Sequence, residues 1–204
     1  MSKKLESTLK NMVLSLLLIS AVMAAALGFV YSATKEPIEK ANKAKEIQAV
    51  KEVLPPFDND PTANVKEIDG LLFYQALKDG KPVGYAVKTY TDKGFSGRFD
   101  LMVGIKPDGS INTVVVLEQK ETPGLGTKMK EPKFKNQFDG LSIGNLKGKA
   151  VKVKKDGGTI DAITAATISS RGFCDGVQKA YDLYMKNFAN AAADSASVKE
   201  GGQK

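Results

Sequence analysis

Residues 12–31, MVLSLLLISAVMAAALGFVY, form an uncharged stretch close to the beginning of the chain. As a helix with a rise of about 1.5 Å per residue, this stretch would be roughly 30 Å long, which matches the hydrocarbon core of a bilayer. Tyr31 would then lie at the membrane interface, where aromatic residues are enriched. We therefore predict a transmembrane helix at 12–31, preceded by a cytoplasmic N-terminus at 1–11.

A cleaved signal peptide is the alternative interpretation of the same stretch. Lys3, Lys4 and Lys10 would form its basic n-region, but the apolar run is longer than the ~7–15 residues of a typical h-region, which favours a retained anchor. Lysines follow the run as well as precede it, so the positive-inside rule does not orient the segment. A domain outside the cytoplasm is thus allowed but not required.

The rest of the chain predicts a connecting helix, one globular domain and a tail. In 32–56, apolar residues recur every three or four positions, which indicates an amphipathic helix that ends at Pro55 and Pro56. The domain is predicted at 57–189. Residues 190–204 hold no large apolar residue beyond one valine, so we expect a disordered tail there.

Strand and turn signals dominate the first part of the predicted domain. Asp79–Gly80 and Asp108–Gly109 each separate two β-favouring runs and so predict hairpins. Val114–Leu117 is continuously apolar, as in a strand covered on both faces, and a further strand is expected at Ala150–Val153. With a final helix from Thr167 to Ala189, the fold class is α+β, an antiparallel-rich sheet with packed helices.

Two residue types restrict the chemistry. There is no histidine, which excludes Ser–His and Cys–His catalysis and imidazole ligation of metals. The single cysteine, Cys174, excludes an intramolecular disulfide and is expected to pack in the core. The net charge of +7 comes from lysines spread along the chain without interleaved aromatic residues, so we predict no nucleic-acid partner.

The stretch ETPGLG at 121–126 is the first candidate for a binding site. Pro123 followed by Gly124 predicts a type II turn, and Gly126 leaves the backbone bare, so that a flat ligand could approach. A simple strand-to-helix connection is the alternative. Glu121 could act as a base, but no second carboxylate is visibly paired with it. GFSG at 94–97 suits either a loop or a ligand rim.

The stretch DAITAATISS at 161–170 is the second candidate. Thr164 or Thr167 is predicted to cap the following helix. A helix N-terminus presents unpaired N–H groups and the positive end of a dipole, which suits phosphate, and the small side chains of Ala165 and Ala166 would let phosphate approach. A threonine oxygen there could also carry the phosphate as an ester.

On these residues the chain resembles the FMN-binding G subunits of Rnf electron-transport complexes, a family related to the C subunit of the Na⁺-translocating NADH:quinone reductase. The resemblance covers nearly the whole chain, including TKEPI after the apolar stretch, GFSGRFDLMVGI, ETPGLG and DAITAATISS. It implies a non-autonomous, electron-carrying flavoprotein component of a membrane-bound oxidoreductase. Such a complex couples ferredoxin oxidation and NAD⁺ reduction to Na⁺ or H⁺ translocation.

The resemblance also implies where the flavin is attached. In the family, a flavin transferase moves FMN from FAD onto the last threonine of Asp-x-x-Ser/Thr-Gly-Ala-Thr, which places the covalent FMN on Thr167. Ala165 stands where the family usually has glycine, and Gln119 stands where family members commonly have histidine. No catalytic or metal-binding residue is implied. The cofactor site implied around Thr167 consists of Asp161, Thr164, Ala165, Ala166, Ser170, Glu121, Thr122, Gly124 and Leu125.

The implied partners are the other subunits of an Rnf-type complex, a flavin transferase and membrane lipid. The implied location is a single-pass protein of the cell (inner) membrane with its flavin domain on the extracytoplasmic side. The C subunit of the related quinone reductase is the nearest alternative function. A non-redox anchored binding or scaffold module is another, and a flavin transferase is a third, although no cluster of metal-binding carboxylates supports it.

Overall fold

The structure, a computed structural model, describes residues 8–146 and 150–197, with side chains as far as residue 188. The chain divides into two units, Met1–Lys45 and Glu46–Lys204. One helix, α1, runs from Leu9 to Val53, so the two helices expected at 12–31 and 32–56 are a single element. Pro37 lies inside it. Proline removes only one backbone donor, and the Ala, Lys and Glu residues around it favour helix enough for the helix to continue.

The apolar part of α1 lies in the first unit and is exposed to solvent. By length and composition it could cross a bilayer, although a signal sequence near an N-terminus would have the same properties. The hydroxyl of Ser32 donates to the carbonyl of Gly28 at 2.9 Å, and that of Thr34 donates to the carbonyl of Val30 at 2.8 Å. These hydroxyls are thus satisfied by the helix itself, as an apolar environment requires.

The second unit is built on a five-stranded antiparallel sheet in which each strand pairs with the next along the chain. This arrangement, with helices packed on the sheet, confirms the predicted α+β class. The strands are β1 (Lys66–Ile68), β2 (Leu71–Lys78), β3 (Lys81–Gly94), β4 (Gly97–Ile105) and β5 (Ile111–Glu118).

Tight turns connect the strands. Asp79 and Gly80 both have positive φ (51° and 72°), as a type I′ hairpin requires, which confirms the predicted β2–β3 hairpin. The predicted Asp108–Gly109 hairpin joins β4 and β5. Gly94 pairs with Gly97, so Phe95 and Ser96 form a two-residue turn between β3 and β4.

One face of the sheet packs on a long C-terminal helix, α3 (Thr167–Ser197). The apolar stripe predicted for this helix is buried in that core, which confirms the expected packing. Val114 belongs to the same core, whereas Val115 packs on the opposite face of the sheet, so β5 is covered on both faces. The buried stripe of α3 consists of Phe173, Val177, Tyr181, Tyr184 and Phe188.

The opposite face of the sheet packs on the end of α1, and we call this contact the helix junction: residues 46–54 against β2, β3 and β4. The two chain segments approach closely, because a Cβ added to Gly104 would lie 1.9 Å from the carbonyl oxygen of Val53. Glu46 accepts hydrogen bonds from the hydroxyl of Tyr74 and from the ammonium group of Lys88.

Between β5 and α3 the chain forms short helical turns: α2 (Pro132–Lys135) and 3₁₀ turns at Gly126–Lys130, Asn136–Phe138, Ile143–Asn145 and Lys154–Asp156. The strand expected at Ala150–Val153 is absent from this described segment. Val153 forms only an isolated parallel bridge with Ile160, because the chain turns back at Lys154–Asp156.

The C-terminal helix is longer than expected. It continues to Ser197 instead of ending near Ala189, because the alanine-rich sequence after residue 189 has high helix propensity. The tail predicted at 190–204 is therefore helical as far as Ser197, and residues 198–204 lie outside the described part of the chain.

Candidate functional site

The entrance of α3 is capped by the backbone of Ala166. Its carbonyl accepts the first helical hydrogen bond, from Ser170 N–H at 3.0 Å. The prediction that Thr164 or Thr167 would be the N-cap is therefore wrong, and Thr167 is instead the first helical residue. The N–H groups of the first helical turn, on Thr167, Ile168 and Ser169, have no acceptor within the helix. They are available to an anion placed at this entrance.

The loop before the entrance is a tight turn in which Ala165 adopts a left-handed conformation, with φ of 61°. The hydroxyl of Ser170 accepts a hydrogen bond from Ile163 N–H and donates one to the carbonyl of Ala166, both at 2.9 Å. Ser170 is fully buried by these contacts. The turn explains why glycine suits position 165, and it shows that Ser170 holds the loop together.

The ETPGLG segment folds as predicted. Leu125 N–H donates to the carbonyl of Thr122 at 3.1 Å, and Gly124 has a φ of 75°, which together define a type II turn with Pro123 and Gly124 at its centre. The N–H of Gly124 also donates to the hydroxyl of Thr127 at 3.0 Å. This turn places Thr122 and Leu125 side by side at a cavity.

The cavity, which we call the Thr167 cavity, has a volume of about 290 Å³. Three apolar side chains in its lining are exposed: Phe95 (67%), Leu125 (39%) and Ile168 (48%). Such apolar surface suits a flat aromatic ligand. Three segments contribute the lining: the β3–β4 turn, the ETPGLG turn and the entrance of α3. The lining residues are Phe95, Glu121, Thr122, Leu125, Gly126, Ala165, Ala166, Thr167, Ile168 and Ser169.

The cavity brings together most, but not all, of the residues predicted for the site. Gly124 and Ser170 support neighbouring turns without lining it, and Asp161 and Thr164 line a separate cavity of about 170 Å³ together with Lys128 and other residues. The predicted residues in the Thr167 cavity are Glu121, Thr122, Leu125, Ala165, Ala166 and Thr167.

Four lining residues were not predicted as site residues: Phe95, Gly126, Ile168 and Ser169. Phe95 lies in GFSG, which suited either a loop or a ligand rim from the sequence, and Phe95 lines the cavity. Ile168 and Ser169 follow Thr167 directly, and their position in the first helical turn could have identified them.

Glu121 is a buried carboxylate in the wall of the cavity, with 4% of its surface exposed. Its Oε1 accepts a hydrogen bond from Ser96 N–H at 3.0 Å, and its Oε2 accepts one from the Ser169 hydroxyl at 2.6 Å. Gly126 lines the cavity, and the expectation that its bare backbone admits a flat ligand there stays a prediction. A Cβ at Gly126 would lie 2.6 Å from Glu121 Oε2, so glycine makes room for this carboxylate.

Asp161, the first residue of the DAITAATISS motif, is fixed from two sides. Its N–H donates to Gln137 Oε1 at 2.7 Å, its carbonyl accepts from Gln137 Nε2 at 3.2 Å, and its carboxylate pairs with Lys154 at 2.7 Å. In the same region, Arg171 forms a two-point ion pair with Asp156, at 2.7 and 2.6 Å, which lowers the pKa of that carboxyl. These contacts hold the loop before α3 in place.

Metal and thiol chemistry are not indicated. Among residues 8–146 and 150–197, no group of three or more His, Cys, Asp or Glu residues could hold a metal ion. Cys174 is buried in the core, as predicted, and burial raises the pKa of its thiol to about 12.

The FMN-binding domain family matches residues 94–182, a segment that contains every residue lining the Thr167 cavity. Over most of its length the chain is similar to the G subunit of the ion-translocating oxidoreductase complex of Methanosarcina acetivorans. The two are 32% identical over 179 residues, which cover 84% of this chain and 92% of that protein. The chain belongs to this G subunit family.

A second member of the G subunit family comes from the Na⁺-translocating ferredoxin:NAD⁺ oxidoreductase complex of Acetobacterium woodii. It is 35% identical over 188 residues, with coverage of 84% of this chain and 89% of that protein. Among solved structures, NqrC of Shewanella oneidensis is similar with a TM-score of 0.49 and 21% identity, over 65% of this chain and 70% of that one. The G subunit relatives and the FMN-binding match confirm the predicted family membership and the FMN-binding domain.

Proposed function

We propose that this chain is the electron-carrying subunit of a membrane-bound, ion-translocating ferredoxin:NAD⁺ oxidoreductase, with FMN phosphoester-linked to Thr167. The observation that carries the proposal is the position of Thr167. It lies in the wall of an apolar cavity inside the FMN-binding match, in a chain whose similarity covers 92% of a relative from the G subunit family.

The residues of the cavity fit FMN at both ends of that molecule. Phe95, Leu125 and Ile168 offer apolar surface for the flat ring system. The first turn of α3 offers backbone N–H groups and the positive end of the helix dipole to a phosphate. Thr167 is partly exposed at this same turn, so its hydroxyl is accessible to a phosphoryl donor.

Attachment requires an exchange of one phosphorus–oxygen bond for another. The Thr167 oxygen would attack the flavin-side phosphorus of FAD, the bond to the second phosphate would break, and AMP would leave. The hydroxyl proton would pass to the flavin transferase that catalyses the exchange. Because another enzyme supplies the base, the chain needs no histidine near Thr167.

Bound FMN supplies one- and two-electron redox chemistry, and the chain supplies its binding, orientation and electrostatic surroundings. Residues 12–31 would lie in membrane lipid as a retained anchor. The domain after α1 would face the extracytoplasmic side, where other subunits of the complex would exchange electrons with it.

Co-expression of the full-length chain with a flavin transferase tests the proposal. We expect a band on a denaturing gel that fluoresces under ultraviolet light, and an intact mass increased by one FMN minus water. Thr167→Ala should abolish both signals. Thr159→Ala is the matched control, because Thr159 is exposed and lies outside both the DAITAATISS motif and the Thr167 cavity, and it should retain them. Fluorescence that survives in Thr167→Ala would contradict the proposal.

A further inference from the structure

Glu121 connects the three segments that form the Thr167 cavity. It belongs to the ETPGLG segment, while Ser96, which donates to Oε1, lies in the β3–β4 turn and Ser169, which donates to Oε2, lies in the first turn of α3. Ser169 is two residues from Thr167 and is buried. The carboxylate therefore fixes the walls of the cavity relative to one another.

The surrounding backbone is shaped to admit this carboxylate. A Cβ at Gly94 would lie 2.6 Å from Glu121 Oε1, and a Cβ at Gly126 would lie 2.6 Å from Oε2. Both distances are shorter than ordinary Cβ contacts, so a side chain at either position would push the carboxylate aside. Two glycines from different segments thus leave space for the two oxygens of one buried glutamate.

The charge of Glu121 is not paired. Its two hydrogen-bond donors, a backbone N–H and a hydroxyl, are neutral, and within the described part of the chain it takes part in no ion pair with lysine or arginine. An unpaired charge in a poorly hydrated wall acts more strongly on its neighbours than the same charge in water.

We propose that Glu121 is a positioning residue that also sets the reduction potential of the flavin. The inference rests on the proposed function, because it requires FMN in the Thr167 cavity. Electrons added to a group beside a negative charge are destabilised, so Glu121 holds the potential below the value that a neutral side chain would give. Glu121 itself exchanges neither atoms nor electrons with the flavin.

Redox titration of the full-length, FMN-loaded protein, followed by its visible absorption, tests this inference. Glu121→Gln has nearly the same shape and can still bond to Ser96 and Ser169, but it carries no charge. We expect its midpoint potential to be more positive than that of the wild type. Glu118→Gln removes an equal charge from an exposed position at the end of β5 and should leave the potential unchanged.

Ser169→Ala provides the opposite test. It removes one donor from the carboxylate and keeps the charge, so the charge is less compensated and the midpoint potential should move below the wild-type value. A purely structural role for Glu121 would not move the potential in opposite directions in the two variants. If Glu121→Gln fails to load flavin, Ser169→Ala decides alone, and a potential at or above the wild-type value overturns the inference.

The failure of this inference can be distinguished from the failure of the proposed function. Wild-type protein without flavin on Thr167 contradicts the proposed function. Wild-type protein that carries the flavin, together with variants that keep the wild-type potential, contradicts only the role of Glu121.

Discussion

The helix junction and the Thr167 cavity each hold a glutamate, and the two are stabilised differently. Glu46 at the helix junction accepts hydrogen bonds from the Tyr74 hydroxyl and from the ammonium group of Lys88. Glu121 in the cavity wall accepts only from neutral donors. A paired charge contributes mainly to holding two elements together, whereas an unpaired buried charge acts on whatever occupies the space beside it.

The two regions also use glycine differently. At the helix junction, Gly104 admits a backbone carbonyl, that of Val53, whereas at the cavity Gly126 admits the side chains of Glu121 and Ser169. A backbone group can move less than a side chain can. An added side-chain atom should therefore cost more stability at the helix junction than at the cavity. Changes at the cavity should instead affect the bound flavin.

The largest effect is expected from added volume at these glycines. Gly104→Ala places its Cβ 1.9 Å from a backbone oxygen and should lower the free energy of unfolding by about 3 kcal/mol or more. Gly126→Ala should lower it by about 2 kcal/mol, because Glu121 and Ser169 can shift, and it should also reduce flavin loading. Urea unfolding of the purified variants measures both free energies.

Gly144→Ala is the control for the glycine variants, because its Cβ would meet only the Tyr181 hydroxyl, at 3.4 Å. We expect a change well below about 1 kcal/mol for this variant. If Gly126→Ala destabilises the protein more than Gly104→Ala does, the helix junction is not the region that is less tolerant of added volume.

The next effect concerns the charge at the helix junction. Glu46→Gln leaves Lys88 without its partner and should lower the free energy of unfolding by about 1–2 kcal/mol, a value reduced by the partial exposure of the pair. Because this charge is already paired, the flavin potential should stay at its wild-type value. Urea unfolding and redox titration of the same sample measure the two effects. A potential shift equal to that of Glu121→Gln would remove the distinction between the two glutamates.

The sequence predicted the features that depend only on neighbouring residues in the chain. Asp79–Gly80 and Pro123–Gly124 specify their turns through the φ angles that they allow, and the apolar spacing of α3 specifies its buried face. Close contacts between distant segments could not be predicted in this way. The space that Gly126 leaves for the side chain of Ser169, for example, cannot be seen from the ETPGLG segment alone.

Strands and contacts that depend on a distant partner were also hard to predict. The apolar valines near Val153 suggest a strand, but a strand needs a partner, and the chain turns away after one bridge. The carboxylate of Glu121 gave no signal of its role in the sequence, because Ser96 and Ser169 lie 25 and 48 residues away from it.

Alkaline pH should destabilise the helix junction through Tyr74 and the core beneath α3 through Cys174, because both groups are buried in the neutral form. Burial raises the pKa of Cys174 on α3 from 9.0 to about 12, and burial with the hydrogen bond to Glu46 raises the pKa of Tyr74. The unfolded chain releases these protons first, so stability falls as the pH rises above 9. For Cys174 the loss at pH 10 is about 1 kcal/mol.

Urea unfolding between pH 7 and pH 10 checks this dependence. Between pH 7 and pH 10, the free energy of unfolding of Cys174→Ala should fall by about 1 kcal/mol less than that of the wild type. The packing that the variant loses lowers its stability equally at both pH values and does not affect this comparison. An equal pH dependence in the wild type and in Cys174→Ala would show that the thiol does not contribute.

The smallest effect is expected at Ala165, beside Thr167. Its left-handed conformation, with φ of 61°, is strained for alanine and free for glycine, so Ala165→Gly should raise the free energy of unfolding by about 0.5–1 kcal/mol. Ala162→Gly is the matched control, because the φ of Ala162 is not positive, and it should lower the free energy of unfolding by a similar amount.

If Ala165→Gly also increases flavin loading on Thr167, the methyl group limits the approach of the phosphoryl donor. If loading is unchanged while stability rises, the strain concerns only the fold of the loop, and the entrance of α3 accepts either residue.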